Sequence, residues 1–132
     1  MTSQQQEEGR LRTHPAERFA AAEQVLDIEE IHEQLMSEPH PGLAGHRQIA
    51  ILKKGPLTQV YFVFDEGGCM PDHSADGLVT IYAIDGEFAV TTAAARHILE
   101  PNMVLVLEPG IEHRVDALMP GRMLLTVYLA ER

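Results

Sequence analysis

A single cysteine, Cys69, stands among the 132 residues. One thiol closes no intrachain disulfide and builds no cysteine metal cluster. Tryptophan is absent, and four phenylalanines and three tyrosines are too few for an aromatic platform that stacks bases or sugars. Positive charge is scarce as well: 10 Lys and Arg face 20 Asp and Glu, a formal net charge of -10. Nucleic acid and anionic membrane surfaces would both be repelled, so neither is expected as a partner. No apolar run approaches the roughly 20 residues of a membrane span. The opening Met-Thr-Ser-Gln-Gln-Gln-Glu-Glu has neither the basic start nor the apolar centre of a signal peptide. The expectation is a soluble cytoplasmic protein.

The charge that is present is unevenly spread. Residues 1–40 hold nine acidic side chains against three basic ones, residues 41–132 eleven against seven. The first stretch therefore reads as a polar, helical N-terminal extension, with residues 1–14 expected to be disordered. Asp27 followed by Glu30 is a capping-box pattern that starts a helix. Ile28, Ile31 and Leu35 share one face of that helix, which ends before Ser37-Glu38-Pro39. Pro39-His40-Pro41-Gly42 reads as a linker into the main domain, 41–132.

Beyond the linker the texture changes to short β-prone runs between turn signals. Strands are expected over 47–52, 58–64, 78–84, 87–92, 96–99, 103–107, 112–118 and 122–129. Asp85-Gly86 suits a two-residue type I′ hairpin turn, and Met119-Pro120-Gly121 a second turn. Eight or nine strands in about 90 residues fit an all-β sandwich or barrel.

Two histidines punctuate this pattern. His73 follows Pro71, read as a turn, and leads toward the strand ending at Asp85-Gly86. His113 follows Pro109-Gly110 about forty residues later and also leads into an alternating strand. His73, Ala75, Val79, Ile81 and Ala83 share one parity, as do His113, Val115 and Ala117. Apolar partners at those positions turn both faces inward, where the histidines can share a pocket lined by Ala75, Val79, Ile81, Ala83, Val115 and Ala117.

Gly68, His73 and Asp85-Gly86-Glu87 resemble the first motif of the cupin superfamily, G-x5-H-x-H-x3/4-E-x6-G. Glu108-Pro109-Gly110-Ile111-Glu112-His113 resembles the core of the second, P-x-G-x2-H, with one residue fewer between Pro and Gly. The resemblance covers residues 45 to 130. It implies a single-domain, jelly-roll type cupin-like β-barrel, and for a chain of this size a homodimer. Metal-binding cupins hold their ion with two histidines and a glutamate of the first motif and the histidine of the second. Here the second histidine position is Ala75 and the glutamate position Val79, neither of which offers a lone pair.

Two functional readings follow. The first is a cupin-like protein of uncertain activity that binds a small molecule in the barrel without a complete metal site. The second is a metal-dependent cupin enzyme, of dioxygenase, isomerase or decarboxylase type, holding one divalent ion (Fe, Mn, Ni or Zn) on His73 and His113. A third ligand would come from Asp76, His97, Cys69 or His46. Tyr61 or Tyr82 would be the proton donor if the site worked as in metal-free sugar epimerases of this superfamily.

Overall fold

A computed structural model describes residue 12, residues 18–39 and residues 44–129. The stretch expected to be disordered and the linker therefore lie outside the described residues, apart from Arg12 and Pro39. The chain divides into two compact units, Met1–Pro39 and His40–Arg132.

In the first unit, helix α1 spans Ile28–Ser37. Asp27 caps it as expected. Its Oδ1 accepts from the Glu29 and Glu30 backbone N–H groups at 3.0 and 3.3 Å, two donors that the first turn leaves without intrahelical partners. Glu29 and Glu30 place negative charge at the positive end of the helix dipole. The helix runs through Ser37, slightly past the expected end, and stops where Glu38 turns extended before Pro39, which disfavours helical geometry in the residue preceding it. The Glu38 carboxylate accepts two bonds from the Arg12 guanidinium, at 2.7 and 2.9 Å.

The second unit contains seven strands among the described residues: β1 His46–Lys54, β2 Leu57–Phe64, β3 Cys69–His73, β4 Leu78–Thr92, β5 Arg96–Leu99, β6 Val104–Leu107 and β7 His113–Tyr128. All pairings are antiparallel, in the order β1-β2-β7-β4-β5, with β3 on β7 and β6 on β4. This is the all-β arrangement that the alternating runs imply, of the jelly-roll type that the resemblance implies. Phe62, Phe64, Val79, Ile81, Phe88, Val90, Val115 and Met123 are central to its hydrophobic core.

Three local expectations are corrected. The hairpins at Asp85-Gly86 and Met119-Pro120-Gly121 do not form. β4 and β7 each run through those positions and pair with one another from Leu78↔Tyr128 to Thr92↔His113. Gly86 does take the positive φ (79°) that the Asp-Gly step predicts, but it serves an irregularity inside a strand, where the register shifts between Ala83 and Phe88. A Cβ on Gly86 would lie 2.5 Å from the Pro120 carbonyl oxygen and 2.6 Å from the Gly121 Cα; one on Gly121 would lie 2.5 Å from the Asp85 oxygen. Two backbones thus touch where both strands bend. Asp85 fastens the bend by accepting from the Arg122 backbone N–H (2.9 Å) and from its Nε (2.8 Å).

The third correction concerns Pro71, which lies inside β3 and not in a turn. Among the described residues β7 is the one strand that β3 pairs with, and its register slips between Met70 and His73. A sheet edge with an irregularity is where a residue without an N–H donor fits a strand.

Candidate functional site

The β3–β7 register sets His73 directly opposite His113. Their ring centroids stand 4.1 Å apart at an interplanar angle of 59°. Each ring is oriented by a backbone carbonyl two residues earlier: His73 Nδ1 donates to Pro71 O at 2.9 Å, and His113 Nδ1 to Ile111 O at 3.1 Å. A carbonyl oxygen only accepts, so each Nδ1 carries a proton and each neutral ring keeps its lone pair on Nε2.

The two histidines differ in what surrounds them. His73 is half-buried, whereas His113 is 2 % exposed and its Nε2 is buried without a hydrogen-bond partner. Burial lowers the His113 pKa below the ordinary 6.5; the Ile111 carbonyl opposes that shift and the charge of His73 adds to it. His113 is thus an uncharged imidazole at neutral pH with one unused acceptor.

His113 stands in the wall of a pocket of about 690 Å³. The end of β4 and the loop after it contribute Thr91, Thr92, Ala93 and Ala94, β5 contributes His97, and β6 contributes Leu105, Val106 and Leu107. Ile111 and Glu112 precede His113 in the wall, and Asp72 of β3 completes it.

The residues that alternation singles out as pocket lining do not line this pocket. Val79, Ile81, Ala83, Val115 and Ala117 do point inward, but they pack in the core, at most 3 % exposed. Ala75 packs against the same cluster. Phe62, Phe64, Phe88 and Met123 fill the interior that those small residues would otherwise have left open. This pocket is walled by β5, β6 and residues 91–94 beside His113. Alternation does not reveal it, because its wall joins residues of separate strands and loops.

The candidate third ligands are scattered. Both His46 nitrogens are engaged, Nδ1 with Cys69 O at 3.0 Å and Nε2 with Gln48 Oε1 at 3.1 Å, and its ring packs on Phe62 and Phe64. Asp76 is exposed and Cys69 half-buried; of the four, His97 alone lines the pocket. Among the described residues, no three His, Cys, Asp or Glu side chains are grouped to hold a metal ion. The four-side-chain set of metal-binding cupins therefore does not fit this chain. The tyrosines stand apart from the pocket: Tyr61 is fully buried, and the Tyr82 hydroxyl donates to Asn102 Oδ1 at 2.7 Å.

No protein-family profile matches the chain, and no curated protein matches it. Solved structures do. A conserved protein of unknown function from Streptococcus pyogenes is 22% identical over 87% of this chain and 94% of its own, with a TM-score of 0.66. A cupin superfamily protein from Desulfitobacterium hafniense is 13% identical over 85% of this chain and 95% of its own, at 0.65. An RmlC-like cupin from Shewanella frigidimarina is 20% identical over 67% of this chain and 80% of its own, at 0.61. At these identities the likeness is one of fold, and the fold is that of the cupins.

Proposed function

We propose that this cupin-fold chain binds a small molecule in the pocket beside His113, without a complete metal site. The observation that carries the reading is the buried, unpartnered His113 Nε2 in the pocket wall. Leaving a buried acceptor unpaired costs about 1–3 kcal/mol, which a donor on a ligand recovers. A volume of about 690 Å³ falls within the range of small-molecule sites, and aliphatic side chains supply much of the wall. Because Nε2 is covered, a neighbour must move before a ligand reaches it. The half-buried His73 ring, 4.1 Å away, is the neighbour placed to do so.

The reading extends to the protein's setting. A homodimer is supported by β5 and β6, each paired on one side only among the described residues, with Ile98, Val104 and Val106 exposed. The charge of -10 speaks against nucleic acid and membrane surfaces as partners. No helix among the described residues is long and apolar enough to cross a membrane, and we take the cytoplasm as the site of action.

One observation favours the second reading, a metal-dependent enzyme on His73 and His113. Both Nδ1–H groups are fixed by carbonyls, the arrangement that orients metal-ligating imidazoles. Metal analysis of protein purified without a nickel column separates the two. The expected result is substoichiometric metal that Fe, Mn, Ni or Zn cannot restore, together with fragment binding at the pocket that weakens in His113→Ala. Stoichiometric metal that disappears in both His73→Ala and His113→Ala would overturn the proposal in favour of the enzyme.

A further inference from the structure

We infer that the pocket selects organic ammonium ligands, an apolar body carrying a protonated amine, over carboxylates of the same shape. The inference rests on the binding role proposed above and adds the chemical class of the ligand.

Three features of the wall converge on it. Once the neighbour covering Nε2 moves, His113 offers an acceptor and no donor, because Nδ1–H is given to Ile111 O and Nε2 holds the lone pair. An incoming group must therefore donate, which an ammonium does and a carboxylate does not. The wall also holds two carboxyl side chains, Asp72 and Glu112, and no lysine or arginine. Both acids are exposed at the wall, so a cation entering the pocket is attracted and an anion repelled. Arg114, two residues after Glu112, feels Asp72 as well, but it is engaged chiefly by Asp116. Its Nε and Nη2 bond the Asp116 carboxylate at 3.0 to 3.2 Å, and it is absent from the wall.

The rest of the wall sets the ligand's body. Leu105, Val106, Leu107 and Ile111 form an aliphatic surface with no charge of its own. A short alkyl or cycloalkyl group lies against such a surface by the hydrophobic effect, leaving the ammonium for His113 and the two acids.

The test is an NMR titration of the full chain at pH 8, where ordinary imidazoles are neutral. Hexylammonium, 1-hexanol and hexanoate share one body and differ in the head group. Hexylammonium is expected to move the amide resonances of residues 91–94, 105–107 and 111–113, and to bind about tenfold more tightly than hexanoate. In the double variant Asp72→Asn, Glu112→Gln the ratio of those two affinities is expected to fall toward one. Hexanoate binding as tightly as hexylammonium, or hexanol binding where hexylammonium does not, overturns the ammonium preference and leaves the binding role standing. Failure of all three probes to move any pocket resonance overturns the binding role itself. An unchanged ratio in the double variant removes Asp72 and Glu112 as its cause and overturns the inference as stated.

Discussion

His113 is held neutral to a lower pH than a solvated imidazole. Burial keeps its pKa below 6.5, against the opposing Ile111 carbonyl and with the help of His73. As pH falls, the unfolded chain therefore takes up this proton before the folded one does. The contribution of neutral His113 to stability is complete above about pH 6.5 and is lost as pH falls through the lower folded value. The denaturation midpoint is expected to drop between pH 7 and pH 5 more steeply in the native protein than in His113→Phe, which removes this proton and leaves the other titrating groups in place. Parallel pH profiles for the two proteins, measured by urea unfolding, would refute the assignment. At this scale the sequence was informative in one respect: period-2 alternation set His113, Val115 and Ala117 on an inward face. It was silent on the hydrogen bonds that orient the rings, because those depend on carbonyls of Pro71 and Ile111 in irregular backbone.

The element that the sequence misrepresented is the long β4–β7 pair. Asp-Gly states that a positive φ is needed, and a hairpin turn and a strand irregularity both need one. Only the close approach of Gly86 and Gly121 distinguishes the two, and that contact joins positions far apart in the chain. Pro71 misled for a similar reason, since its tolerance inside β3 depends on β3 having one strand neighbour among the described residues. Asp27 was legible because a cap is local chemistry: one carboxylate and the N–H groups within three residues of it. The bend gives a graded prediction. Gly86→Ala combines a positive φ with a backbone clash and is expected to cost about 3 kcal/mol or more. Gly121→Ala, with the clash alone, is expected to cost about 2 kcal/mol. Gly110→Ala has a φ of 83° but nothing within 4 Å of the added Cβ, and about 1 kcal/mol is expected. Chemical denaturation of the three variants gives the order, and Gly110→Ala as the most damaging would contradict the packing described for the bend.

For the molecule as a whole, fold class was legible because it follows from the spacing of many short β-prone runs, and errors at single turns do not change it. The pocket was not, since its wall joins residues far apart in the chain, from Asp72 to His113, and no residue pattern records that. The main core cluster is drawn from residues between Val60 and Val127, all within the second unit. A protein comprising residues 40–132 is therefore expected to unfold in one cooperative transition, with a midpoint a few degrees from that of the full chain; calorimetry that finds no such transition would show the core to be insufficient alone. The β4–β7 pairing also has a consequence for the order in which the domain assembles. Thr92 and His113 are only about 21 residues apart in the chain, whereas Leu78 and Tyr128 are about 50 apart, so the loop-closure entropy is smallest at the histidine end. Between those two near residues lie β5 and β6, and β5 folds back on β4 at once through Thr91↔Arg96. The ladder thus has its smallest closure cost beside the pocket, so pairing is expected to start at the His113 corner and to reach the Gly86–Gly121 crossing later.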